Sequence, residues 1–229
     1  MDETRRLDFE SSTLLAELNK LQEDDESFTS AQACFALQKQ AVMERFPPFT
    51  SNPQADYEVS PEALECLLQT GEYRSDIRTH PHISDCFVFH TKGFETTVIR
   101  DDIIALRKSV DNIVRDRIPK LFKADGQLTA IVSGHFYFPP GGFMGWHTNS
   151  RVPGWRFYVT HAEEPGKSFL RFRDPKTNSI ITAWDKRWNV RLFRIDPQEP
   201  LWHAVYSSTH RYSIGYGIVA APDASQSWT

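Results

Sequence analysis

Apolar residues recur at helical spacing in two stretches of the first half of the chain and at closer, strand-like intervals through the second half. From about position 14 to 46, Leu14, Leu15, Leu18 and Leu21, then Cys34, Leu37, Ala41 and Met43 fall close to intervals of three and four, as the buried stripe of a helix requires. The acidic, Ser-rich EDDESFTS between the two groups carries helix-start residues and reads as a connector. The Pro-rich FPPFTSNPQADYEVSPEA follows, where proline removes backbone donors and helix cannot persist. A short helix is predicted over positions 61–69, with Pro61 in its first turn, where the missing N–H costs nothing. A longer one is predicted over about 101–122. There Ile103, Ile104, Leu106, Val110, Ile113, Val114, Ile118, Leu121 and Phe122 keep near a 3.6 period, and Asp101 and Asp102 stand at the positive helix start. Pro119 is expected to break or kink its end.

After Gln127 the texture changes. LTAIVSGHFYF, GFMGWHTN, WRFYVTHAE, SFLRFRD, SIITAWD, NVRLFRI, LWHAVYS and RYSIGYGIV are short runs rich in aromatic and β-branched residues. PPGG, RVPG, EEPGK, DPKTN and DPQEP separate them as turns. Eight strands at this spacing predict an antiparallel sandwich, jelly roll or barrel. The expected architecture is α+β: a helical N-terminal region and covering helix over 1–125, packed on one sheet of a β core over 126–229, the two forming one integrated domain.

The chain has 229 residues, 40% hydrophobic and 24% charged, enough to bury a sizeable core. The net charge of −4 argues against a general nucleic-acid binder, which carries a basic excess. Cys34, Cys66 and Cys86 are odd in number and lack any CxxC spacing; this suits a reducing compartment and inert thiols. No signal-peptide pattern opens the chain and no run approaches the roughly 20 apolar residues of a membrane span. A cytoplasmic protein without a membrane partner is expected.

Two histidines stand out by context. His147 ends the second predicted strand, in GWHTN, and His203 lies in the seventh, in LWHAVYS; in a jelly roll those strands are neighbours. Two imidazoles and one oxygen ligand on one face of a metal leave its other positions open. Arg211 and Ser213 share a side of the last strand at period two, and a guanidinium beside a hydroxyl makes a clamp for a carboxylate. The single histidines His90, His161 and His210 read as core or surface residues, and His135 shares a strand face with Tyr137. Trp146, Trp155, Phe157, Tyr158, Phe169, Phe172 and Trp202 read as core or pocket wall. Arg171 and Arg173 read as solvated residues or as partners of an anionic substrate.

FYFPPGGFMGWHTN, then LWHAV, then RYS together resemble the signature of the iron(II)/2-oxoglutarate-dependent oxygenases, whose pattern is His-x-Asp/Glu, a distal His and an Arg-x-Ser. The resemblance covers roughly 128–220. It implies a double-stranded β-helix, Fe(II) as cofactor and 2-oxoglutarate as co-substrate. It also implies His147 and His203 as iron ligands and Arg211 and Ser213 as ligands of the far carboxylate, with Tyr137 a candidate donor to the same group. Dioxygen is the second co-substrate, and the prime substrate is a small molecule or an amino-acid side chain. The sequence departs from the pattern at Asn149, where the family carries its acidic ligand. Asn149 can coordinate through its carbonyl oxygen, can leave a position open, or can mark a protein that binds without catalysis. Glu163, Glu164 and Asp185 are substitute carboxylates without motif support. A non-catalytic binding module and a cupin-like metalloenzyme independent of 2-oxoglutarate therefore stand beside the oxygenase reading.

Overall fold

The structure is a computed structural model that describes residues 26–117 and 128–220. The predicted helical segment before position 26, the end of the long helix with Pro119, and the C-terminal tail lie outside the described residues. Four α-helices precede the main sheets: α1 (Glu26–Arg45), α2 (Ala55–Glu58), α3 (Pro61–Thr70) and α4 (Asp101–Arg117). Each obeys local rules. Ser60 caps α3, its Oγ accepting from the Ala63 N–H at 3.1 Å, Pro61 is the first helical residue, and Gly71 ends the helix in the left-handed conformation at φ +70°. The EDDESFTS segment proves to be partly helical, since α1 already begins at Glu26.

The eight predicted strands all form: β3 (Leu128–Phe138), β4 (Gly142–His147), β5 (Gly154–Ala162), β6 (Ser168–Arg173), β7 (Ile180–Trp184), β8 (Trp188–Ile195), β9 (His203–Ser207) and β10 (Arg211–Ala220). Two further strands, β1 (Ser84–Asp85) and β2 (Phe87–Val88), come from the N-terminal region. At two residues each they are too short to leave a periodic signal in the sequence. Two antiparallel five-stranded sheets result, ordered β1-β4-β9-β6-β7 and β2-β3-β10-β5-β8. Odd and even neighbours interleave as in a jelly roll, so the eight long strands make a double-stranded β-helix.

Three apolar clusters hold the layers. Phe138, Met144, Leu170, Phe172, Phe193 and Val205 fill the space between the sheets. On the outer face of the second sheet, Phe157, Val159, Tyr212, Ile214 and Tyr216 pack against Ala31, Phe35 and Val42 of α1 and Ile103, Val110 and Val114 of α4. This is the helical cover the sequence predicts. The first sheet has a smaller cover of its own, where Ala55, Val59, Leu64 and Leu67 meet Phe143, Trp146, Phe169 and Trp202, and the Trp146 indole N–H donates to the Ser60 carbonyl at 2.7 Å.

His135 belongs to the helix-facing layer. Its Nδ1 accepts from Arg107 Nη1 at 3.2 Å, Arg107 in turn contacts Asp111 at 3.2 Å, and the Tyr216 hydroxyl donates to Asp111 at 2.8 Å. This buried chain ties α4 to β3 and β10. It leaves His135 as a structural residue rather than a ligand.

Candidate metal and carboxylate site

The register of the strands decides which side chains meet between the sheets. His147 lies directly opposite His203, β4 against β9. Their ring centroids are 4.1 Å apart, and both residues are buried. Each ring is fixed by its own strand: Nδ1–H of His147 donates to the Gly145 carbonyl and Nδ1–H of His203 to the Leu201 carbonyl, both at 2.8 Å. With Nδ1 protonated, each neutral ring carries its lone pair on Nε2. Burial depresses both imidazoles, His203 to about 4 and His147 well below its ordinary value, the latter with a further contribution from His203. Neutral rings with oriented Nε2 atoms are what a divalent metal requires.

Asn149 follows on the loop. It adopts the left-handed conformation at φ 54°, which asparagine tolerates better than most residues, and its Nδ2 lies 3.2 Å from His203 Nε2. An amide presents its oxygen at the same place after a half-turn about its last bond, so Asn149 fits as an uncharged third donor. Among the described residues no group of three or more His, Cys, Asp or Glu side chains stands together. The loop is held from the N-terminal region, because Thr148 N–H donates to the Arg74 carbonyl at 3.0 Å, and Arg74 is itself paired with Glu58 at 2.8 Å in a buried contact.

One cavity of about 350 Å³ joins this corner to the remaining candidates: His147, Asn149, His203, Arg211 and Ser213 all line it. Arg211 Nε is 2.8 Å from Asp185 Oδ2, and Arg191 Nη1 is 2.8 Å from Asp185 Oδ1. Ser168 Oγ donates to the same carboxylate at 2.6 Å. Burial works against the ionised Asp185, but Arg211 and Arg191 outweigh it and hold the carboxyl at about 2. Two guanidiniums thus share one carboxylate behind the cavity wall. Ser213 Oγ lies 3.3 Å from Thr160 Oγ1.

Tyr137 is corrected by the pleat. It points to the helix side, where its hydroxyl is 2.8 Å from His210 Nδ1 and its ring stacks on Tyr212; Phe136 and Phe138 of the same strand line the cavity. The tyrosine that does line it is Tyr158 on β5, opposite Gly215 of β10 and Arg191 of β8. A Cβ at position 215 would lie 2.6 Å from the Tyr158 ring, so glycine there is what lets the ring lie across the strand. Burial raises the Tyr158 phenol, which stays a hydrogen-bond donor. Tyr158, expected from the sequence as core or pocket wall, is pocket wall, whereas Thr160 and Arg191 carry no signal of their own beyond the period-two alternation that puts Thr160 on the face of Tyr158.

The substitute carboxylates do not reach the histidines. Glu163 accepts from the Tyr212 hydroxyl at 3.1 Å, Glu164 contacts Thr209, and Asp185 serves the arginines. Arg171 is half-buried and donates to the Val59 carbonyl at 2.7 Å, so it ties β6 to the loop after α2 rather than lying free in solvent. Cys34, Cys66 and Cys86 are free thiols. No helix among the described residues is long and apolar enough to cross a membrane.

No protein-family model matches this chain, and no curated protein matches it in sequence. Among solved structures it is similar to an oxidoreductase of the 2OG-Fe(II) oxygenase family from Burkholderia pseudomallei, at 11% identity over 74% of this chain and 93% of that one, with a TM-score of 0.40. It is similar to a prolyl-4-hydroxylase from Pseudomonas putida at 12% identity, over 72% and 90% of the two chains, with a TM-score of 0.39. A Trichoplax adhaerens prolyl hydroxylase in complex with a hypoxia-inducible-factor peptide gives 13% identity, 86% and 94% coverage and a TM-score of 0.38. The strand order described above defines the fold independently of these likenesses.

Proposed function

We propose that the chain is an iron(II)- and 2-oxoglutarate-dependent oxygenase, a dioxygenase acting on a small molecule or amino-acid side chain. The observation that carries the reading is one cavity that joins two imidazoles with oriented Nε2 atoms to a buried guanidinium and hydroxyl able to hold a carboxylate. His147 and His203 would hold iron, with Asn149 as a neutral third donor. When bound, iron and 2-oxoglutarate supply the oxidation, with dioxygen as oxidant and succinate and carbon dioxide as products. The residues do the rest. Arg211, backed by Asp185, grips the far carboxylate with Ser213; Tyr158 adds a protonated phenol to the same wall. Phe136, Phe138, Phe193 and Leu170 make the cavity apolar and exclude water. The residues 75–78 and His90 belong to the N-terminal region and shape the opening.

The test is oxygen uptake by the iron-loaded chain that depends on 2-oxoglutarate and is matched by succinate release. Loaded protein that does neither is not an oxygenase of this kind. Arg211→Ala removes a charge-assisted contact of about 1.5–3 kcal/mol, so 2-oxoglutarate affinity is expected to fall about tenfold to a hundredfold at 1.4 kcal/mol per decade. Calorimetry on wild type and variant decides it, and equal affinities would place the co-substrate elsewhere.

A second reading, binding without catalysis, is favoured by Asn149 alone, which brings no negative charge to the metal. Asn149→Asp separates the two. Aspartate also tolerates the left-handed backbone, and an anionic oxygen attracts a hard cation more strongly than an amide does. Metal binding is expected to tighten at least tenfold. Succinate release by the variant but not by the wild type would identify the natural chain as a non-catalytic binder; release by both supports the oxygenase. Unchanged affinity and turnover would remove Asn149 from the site.

A further inference from the structure

Five arginines line the cavity, Arg78, Arg151, Arg156, Arg191 and Arg211, against one carboxylate, Asp76. Three are accounted for. Arg78 is paired with Asp76, and Arg191 and Arg211 share Asp185. Arg156 is different. It is 7% exposed, and it has no carboxylate partner among the described residues.

Its hydrogen bonds go only to backbone carbonyls: Nη1 donates to Trp155 at 3.0 Å, and Nη2 donates to Val152. Carbonyls satisfy N–H groups without neutralising charge. A guanidinium carries five N–H donors, so Nε–H and one hydrogen on each terminal nitrogen remain. Burial lowers its pKa, and the Tyr158 hydroxyl acts the other way without outweighing it. A buried cation without a counter-charge is costly unless an anion completes it.

The place of Arg156 separates it from the 2-oxoglutarate clamp. Arg211 faces Ala162 across β10 and β5, whereas Arg156 faces Gly217, six residues along the strand, about 20 Å between backbone positions at 3.3 Å per residue. Tyr158 stands between them and is influenced by both guanidiniums. Arg156 is instead tied to the loop that follows the metal corner. Val152 N–H donates to the Asn149 carbonyl at 3.0 Å, closing a turn whose Val152 carbonyl then accepts from Arg156. Gly217 faces it on β10, where a Cβ would lie 3.4 Å from Arg156 Nη1, an ordinary contact distance. Arg151, exposed on the same loop, also lines the cavity.

We infer that the prime substrate is an anion whose carboxylate or phosphate group is held by Arg156, on the Asn149 side of the cavity, with Arg151 assisting at the rim. The inference deepens the oxygenase reading and rests on it for the word substrate. The anion site itself rests only on Arg156.

The experiment is calorimetric titration of the full chain loaded with Mn(II) and excess 2-oxoglutarate, so that Arg211 is occupied. The probes are sodium benzoate, phenyl phosphate and benzyl alcohol, which share a ring and differ in charge. At least one anion is expected to bind saturably and more tightly than the alcohol; which of the two does so tells carboxylate from phosphate. Arg156→Met is expected to weaken that binding at least tenfold, and Arg156→Lys to retain more of it than the Met variant. Melting by circular dichroism checks that the variants fold. A measurement free of variants is the Arg156 Nε–H signal in 15N-arginine-labelled wild type, which is expected to shift on titration with the same anion. Equal affinity for anions and alcohol in the wild type, or for wild type and Arg156→Met, or an unmoved Nε–H signal, overturns the proposal. Wild-type chain that binds no 2-oxoglutarate would overturn the oxygenase reading instead. The anion titration, repeated without 2-oxoglutarate, would then be judged by the same criteria.

Discussion

His147→Ala and His203→Ala are each expected to abolish iron or manganese binding, and with it all 2-oxoglutarate turnover. The two imidazoles face each other across β4 and β9, and Asn149 is the proposed third donor, so one histidine and one amide would remain in either variant. The Irving–Williams order places iron(II) and manganese(II) among the weaker-binding divalent ions; such a remnant does not retain them against a chelator. The fold is expected to survive, since alanine breaks no strand pairing and the ring hydrogen bonds reach only carbonyls two residues away. Metal content by atomic absorption after dialysis, read beside the circular-dichroism spectrum, checks this. Stoichiometric metal in either variant would remove that histidine from the centre.

Asp185→Asn is expected to be the most destabilising single change in the site. It leaves Arg191 and Arg211 buried without their shared carboxylate, and breaking a buried ion pair by removing one partner costs about 3–5 kcal/mol. For a chain of this size that lowers Tm by roughly 6–20 °C, at about 2–4 °C per kcal/mol. Phosphate or 2-oxoglutarate should restore part of the loss, because the arginines then meet an external anion. The wild type should show the same interaction through pH. An aspartate held at about 2 in the folded chain, against an ordinary value near 4, contributes stability above pH 4 and loses it as pH falls through 2. The variant lacks that titration. Equal melting temperatures at pH 7, or equal acid sensitivity, would mean that Asp185 is not the counter-charge of this pair.

Much of this molecule is legible in its sequence where the information is local. Turn residues delimit all eight long strands within a residue or two, and Pro61 marks the start of α3. His147, His203, Arg211 and Ser213 reach one cavity because their order along the chain is tied to strand order. What was not legible depends on register. Successive residues of a strand face opposite sides, so the assignment of Tyr137 to the cavity failed by one position: Phe136 and Phe138 are inside. Tyr158, Arg191 and Thr160 meet Arg211 and Ser213 only through the pairing of β5 with β8 and β10, which no single segment encodes. The role of Asp185 was hidden for the same reason, since Arg191 and Arg211, the residues that explain it, lie on different strands.

The short strands β1 and β2 have a consequence for association. A sheet margin with free N–H and C=O groups is a template for a foreign strand, and very short terminal strands are one way of blunting it. Here five consecutive residues, from Ser84 to Val88, cover β4 of one sheet and β3 of the other with Cys86 between them. The margins formed by β3 and β4 are therefore each paired over two residues by a piece of the N-terminal region. The opposite margins are β7 and β8, and β7 presents Ile180, Ile181 and Trp184 to solvent. A chain cut at position 125 would expose both paired stretches, so part of what protects the β core from indiscriminate strand pairing is encoded outside it.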